Sequence, residues 1–228
     1  SGTTTLNFNN LNNLNNPAFF ARDGASLRFI NGLTINGVGG RTGTNAWSNQ
    51  SAGAGFSVQG DAAIHAGGDI IINDYYYDVL ADVGGYFLGD AGLTGNRAGD
   101  VNFLARHGGT IHCEGCAANV AGDAANNLGF NFLAEAGGHI WADGSTATGG
   151  LFGGFCASSG GTAWYHGVTA SSGRGAGIFA FLGGLIFSDN AISNGNSVGV
   201  EAASGGKISA GNMTSENNTN DGYYIDHG

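Results

Sequence analysis

The chain has one proline, one methionine and three cysteines, and its charged residues make up only 11% of it. Its only lysine is Lys207, beside six arginines, and the formal net charge is −10. So few basic groups argue against nucleic acid and anionic membrane surfaces, which need a basic face. They also disfavour binding a polyanion over a broad surface. No apolar run is long enough to cross a membrane, so no membrane insertion is expected, and no stretch has the pattern of a secretory signal. Three cysteines do not make a disulfide framework and leave the redox compartment open. The 45 glycines follow no collagen period, and 42% hydrophobic residues suffice for a core, so neither collagen nor a disordered tract is expected. A polar surface rich in Asn, Ser and Thr suits neutral, hydrogen-bonding partners such as sugars.

What the chain does have is a periodic glycine pair. The pairs begin at Gly84, Gly108, Gly137, Gly160, Gly183 and Gly205, and Gly228 falls where the next would start. The steps are 24, 29, 23, 23, 22 and 23 residues. A period in this range marks a solenoid, whose repeats bury their apolar faces against their neighbours. Five residues before each pair stand Val79, Phe103, Phe132, Phe155, Ile178, Val200 and Tyr223. Three before stand Ala81, Ala105, Ala134, Ala157, Ala180, Ala202 and Ile225. Three after stand Phe87, Ile111, Ile140, Ala163, Ile186 and Ile208. Apolar positions two apart mean strand, and a constant alanine means one inward site repeated in every coil. Further short strands follow, as at Val168–Ala170 and Ala191–Ser193. Three strands per repeat, with no Leu/Asn signature of a leucine-rich repeat, predict an all-β, right-handed parallel β-helix of about seven regular coils of 22–29 residues. At about 4.8 Å per coil the rod is roughly 30–35 Å long.

The regular coils occupy residues 76–228, and residues 1–75 read as an N-terminal cap or attachment segment with irregular coils. The Asn-rich Leu6–Leu14 run belongs there, as does a glycine pair, Gly67-Gly68, that is out of phase. The long repeat from Gly108 to Gly137 predicts a protruding loop at Ala117–Asn127. The chain opens on Ser1 and stops at a coil corner with no polar cap, so a fragment of a longer fibre, or an end covered by another chain, is expected.

Two apolar columns point outward by the same alternation. One holds Leu88, His112, Trp141, Trp164, Phe187 and Ser209; the other holds Leu80, Leu104, Leu133, Cys156, Phe179, Glu201 and Tyr224. Contiguous apolar patches mark interfaces. Three readings stand: packing of three copies about an axis, a sugar-stacking platform on Trp141 and Trp164, or cover by the N-terminal segment. A third outward column is mostly acidic: Asp90, Glu114, Asp143, His166, Asp189 and Gly211. Carboxylates about 5 or 10 Å apart would suit glycoside hydrolysis or calcium; Asp at a strand end also caps its turn. The candidate catalytic set is Glu114, Asp143 and His166, and the candidate substrate-binding or trimer-interface set is Trp141, Trp164, Phe187 and His112. Cys113 and Cys116 form a single C-x-x-C near His112 and His139, half of what a structural zinc site needs. No metal site is therefore expected, Ca2+ remaining an alternative for the acidic column, and no cofactor.

The segments Ala134–Ala142, Ala202–Ala210 and Asn220–Tyr224 resemble the parallel β-helix repeats of bacteriophage tail fibres and tailspikes, over roughly the last 150 residues. Filamentous-haemagglutinin-type adhesins use similar Gly-Gly-x-Ile coils. The resemblance implies a homotrimeric virion protein beside other virion proteins, binding a bacterial surface glycan and in some members cleaving it. It transfers no catalytic set. The Asn-Thr-Asp, Asp-Asp, Gly-His-Gly and Arg-Ile-Lys motifs of polygalacturonase-like hydrolases are all missing. The expected function is adhesion by a fibre or spike shaft; a polysaccharide depolymerase and a secreted or cell-surface bacterial adhesin are the alternatives.

Overall fold

A computed structural model describes residues 4–7, 17–30, 32–37, 53–122 and 129–226. Among them there is no helix. Every strand pairs in parallel with the strand one coil away, in three sheets of nine, nine and eight strands. The chain visits the first, second and third sheets in turn, so each circuit is one coil of a parallel β-solenoid. The seven regular coils are those whose second-sheet strands run from Tyr77–Asp82 to Tyr223–Ile225.

The columns read from the sequence are rows of aligned residues. Ala81, Ala105, Ala134, Ala157, Ala180 and Ala202 lie in register on successive strands. Val79, Phe103, Phe132, Phe155 and Ile178 form the row beside them. Inside the solenoid Phe132 stacks on Phe103 at 4.7 Å and on Phe155 at 4.8 Å, with the rings within 8° of parallel. These three rings are fully buried, as are Phe87, Ile111, Ile140 and Ile186 of the third sheet.

The glycine pair has two separate causes. At the corner Glu135–Gly138, Ala136 and Gly137 both have positive φ, 46° and 77°, and Gly138 N–H donates to the Glu135 carbonyl at 2.7 Å. That is the geometry of a type I′ turn, which favours glycine. The second glycine answers a different need. A Cβ on Gly138 would fall on the carbonyl of Ala105 in the coil below.

The N-terminal region adds strands to the same three sheets. Thr4–Asn7, Leu33–Asn36 and Ile70–Asn73 begin the first, Phe19–Ala21 and Ala54–Gln59 the second, and Ser26–Phe29 and Ala63–Ala66 the third. Its corners are Asp23-Gly24 and Gly60-Asp61, all at positive φ, followed by Ala25 and Ala62 in place of the second glycine. The out-of-phase Gly67-Gly68 lies at the next corner, between Ala63–Ala66 and Ile70–Asn73. Asn7 opens an amide ladder up the first sheet. Asn36, Asn73, Asn96 and Asn119 each donate to the asparagine one coil before, at 2.7–3.0 Å.

The loop expected at Ala117–Asn127 does not include its first three residues. Ala117–Asn119 is a first-sheet strand paired on both sides. Residues 123–128, the rest of that expectation, lie outside the described residues.

Candidate functional site

The outer face of the third sheet carries the sequence-predicted residues. His112, Trp141, Trp164 and Phe187 stand in register on four successive strands. Trp141 and Trp164 stack at 4.3 Å and 2°, and Trp164 stacks on Phe187 at 5.7 Å and 16°. His112 sits against the far side of Trp141 at 6.4 Å. The ring faces therefore lie against one another along the rod, and the half-buried column turns ring edges to solvent. Sugar stacking needs an open face, and the faces of Trp141 and Trp164 lie against neighbouring rings.

Glu114, Asp143 and His166 follow on successive coils, as the period requires, and each has a partner. The His112 ring nitrogen Nε2 lies 3.0 Å from Glu114 Oε1. Asp143 Oδ1 accepts from the backbone N–H of His166 at 3.0 Å, and His166 Nδ1 accepts from that of Asp189 at 3.2 Å. The carboxylate caps the coil above it, not its own turn. The Asp143 and His166 contacts brace successive coils at a corner where backbone donors would otherwise be unpaired, whereas the Glu114 contact lies within one coil. Among the described residues no group of three or more His, Cys, Asp and Glu is gathered in a way that could hold a metal ion. Cys113, Cys116 and Cys156 are free and buried, and burial pushes the Cys113 and Cys156 thiols up.

The second-sheet column was expected to be exposed, and the structure corrects this. Leu80, Leu104, Leu133, Cys156 and Phe179 are buried in an apolar cluster of their own, outside the main core. The cause is a break in alternation at the start of each second-sheet strand. Tyr77 joins the outer cluster, while its neighbour Asp78 is also fully buried and accepts from Asn102 at 2.6 Å. Asp78 and Asn102 thus form a polar pillar inside the corner, and Tyr77, Val101, Phe130 and Ala176 become a second outward column flanking the first. The two columns cover each other. Of the two exposed stripes that suggested packing about an axis, one half-exposed ladder remains.

Between the flanks lies a groove of about 280 Å³ that the sequence reading missed. Its floor is Val101, Leu104 and Leu133. Residues just before the strands make one wall, with Asp100 and Phe152; residues at or just past strand ends make the other, with Glu135, Ser159 and Leu182. Phe130 and Phe181 close it at one end, with parallel rings 6.0 Å apart over the small residues Gly153 and Cys156. The lining comes from five successive second-sheet strands, a span of about 19 Å.

Two carboxyls line this trough. Burial raises that of Asp100 to about 6, opposed in part by the Tyr76 hydroxyl bonded to it and reinforced by the charge of Glu135. Burial also raises Glu135, opposed by Arg106 and His107. Beneath the wall, Arg106 is spent on Asp82: Nε and Nη2 both lie 3.1 Å from Asp82 Oδ2, and His107 Nδ1 lies 2.9 Å from Oδ1.

A measurable consequence is a stability that falls as pH rises. The folded chain takes up a proton on Asp100 near pH 6, whereas the unfolded chain takes it up only near 3.8. Between these values the folded state holds more protons, so its advantage is complete at the acid end and declines through the window. Asp78 and Glu135, both raised by burial, act in the same direction. Thermal unfolding at pH 5 is expected to lie above that at pH 7, and Asp100→Asn is expected to flatten the difference. An unfolding temperature that rises with pH would contradict this.

The geometry defines the class as a three-sheet parallel β-solenoid. Comparison with protein-family models, with curated proteins and with solved structures gave no match.

Proposed function

We propose that this chain is a shaft of the fibre or spike kind that adheres to bacterial surface polysaccharide through its side. The observation that carries the reading is the trough on the outer face of the second sheet. It is walled by phenylalanines and supplied with the carboxyls of Asp100 and Glu135 and the hydroxyl of Ser159. Apolar walls with a few placed polar groups are the usual form of a ligand site. A solenoid holds such a site rigidly, so little ordering cost accompanies binding. Several copies on one assembly would add avidity without new contacts. In the acidic column of the third sheet Asp143 and His166 are assigned to bracing successive coils, and Glu114 pairs with His112 of the neighbouring column on its own coil.

The test is a glycan array read with the parent chain and Phe152→Ala. Phe152 is 41% exposed on the groove wall, so its loss should leave the fold standing. Binding to the recognised glycan is expected to weaken by about tenfold, the equivalent of one good contact. Equal binding by both proteins to every glycan would remove the groove from the reading.

A further inference from the structure

We infer that the groove selects polysaccharides bearing free amino groups, whose ammonium groups meet the carboxyls of Asp100 and Glu135. This rests on the reading of the groove as a glycan site and names the chemistry it prefers.

The placement comes first. Asp100 immediately precedes the strand Val101–Ala105, and Glu135 immediately follows the next strand, Phe130–Ala134. The two carboxyls therefore stand at opposite edges of one sheet face, on adjacent coils, with Leu104 and Leu133 as the floor between them. That floor is 2% and 5% exposed. A ligand lying across it meets an acid on each side.

Charge is the second point. Among the described residues neither Asp100 nor Glu135 makes an ion pair. The nearest cation, Arg106, is buried and directs two nitrogens at Asp82. Two carboxylates in an apolar trough, without a cation of their own, are costly when ionised. A ligand cation there relieves that cost, and the attraction is stronger than at an open surface because the carboxyls are partly desolvated. A neutral sugar supplies hydroxyl donors but no compensating charge. The chain's net charge of −10 draws a cationic ligand and repels an anionic one.

The walls favour a sugar over another carrier of the same charge. Phe130, Phe152 and Phe181 present apolar surface beside the acids, and Phe130 and Phe152 meet edge to face at 5.2 Å. Pyranose C–H faces pack on such surface, and an ammonium gains from adjacent aromatic rings as well. The trough's volume of about 280 Å³ has room for a sugar ring beside the ammonium it carries, whereas a lone lysine side chain needs only a point contact.

The experiment is titration calorimetry at low salt and near-neutral pH with three probes: a glucosamine hexamer, its fully N-acetylated counterpart and a hexalysine peptide. The glucosamine hexamer is expected to bind about tenfold or more tighter than the acetylated one, with an advantage that shrinks as salt is added. In Asp100→Asn and Glu135→Gln, which keep shape and remove charge, the two sugars should bind alike. Thermal unfolding of both variants confirms that they fold. Equal or tighter binding of the acetylated hexamer, lost in Phe152→Ala, overturns the amine preference while leaving the glycan site intact. Failure of both sugars to bind overturns the amine preference, and the glycan array then decides the reading of the groove as a glycan site. Hexalysine binding as tightly as the glucosamine hexamer shows a cation trap without sugar recognition and overturns the inference.

Discussion

Arg106→Met is expected to destabilise the regular coils by about 3–5 kcal/mol, the cost of leaving a buried charge without its partner. Arg106 and Asp82 are 5% and 0% exposed in their side chains, and both bonding nitrogens of the guanidinium reach one carboxylate oxygen at 3.1 Å. His107 approaches the other oxygen from the next residue along. Removing the arginine leaves Asp82 inside the second-sheet wall without its buried cation, held by the Val83 backbone N–H at 2.9 Å and a half-exposed histidine, both on Oδ1. Methionine retains much of the arginine stem, so lost packing adds little. Chemical denaturation followed by circular dichroism measures the effect. The double variant Asp82→Leu/Arg106→Met should recover most of it, because two apolar groups of similar volume can replace a buried pair at little or no cost. A single-variant loss below about 1 kcal/mol, the range of exposed pairs, would show that the pair is solvated and contributes little.

That pair also shows where sequence reasoning ran out. The period made the alanine and phenylalanine rows legible because one side-chain size recurs at one place in every coil. Trp141 over Trp164 was legible for the same reason, though not that the rings would use their faces on each other. The row containing Asp82 reads Asp82, Arg106, Glu135, Ser158, Phe181, with no shared chemistry to mark it as a column. Asp100 shares its place with Tyr76 and Phe152, just ahead of the strands. A groove assembled from unlike residues at strand ends leaves no periodic trace. The burial of Leu80, Leu104 and Leu133 escaped notice for a related reason. Strict alternation puts Asp78 on the outer face, whereas it is fully buried and bonded to Asn102 in the corner pillar, which shifts Tyr77 outward. One available signal was the polar run Asp78, Asn102, Asn131 two residues or fewer after an apolar or aromatic one, which marks a change of phase. In the N-terminal region the corners Asp23-Gly24 and Gly60-Asp61 lack the second glycine, so the marker that aligned the later coils was missing.

Phe132→Ala is the second large effect expected, about 3–5 kcal/mol, as for other buried phenylalanine truncations. Its ring is fully buried and sandwiched between Phe103 and Phe155 at 4.7 and 4.8 Å, each nearly parallel. The cavity left behind cannot collapse easily, because Ala105, Ala134 and Ala157 hold the neighbouring row at one fixed size and spacing. In a solenoid each coil touches only the next, so stability is roughly a sum of coil terms and interfaces between neighbours. Deleting the middle ring weakens two adjacent interfaces at once and leaves the remaining ones untouched. Unfolding should therefore separate into two steps, with the coils on either side of Phe132 parting before the rest. Hydrogen exchange should show it as faster exchange in Val101–Ala105, Phe130–Ala134 and Gly153–Ser158 than in Ile70–Asn73. Truncating Phe152 on the groove wall, 41% exposed, should leave a single transition. If Phe132→Ala unfolded in one step at the parent midpoint, the stacked interior rings would not be what joins these coils.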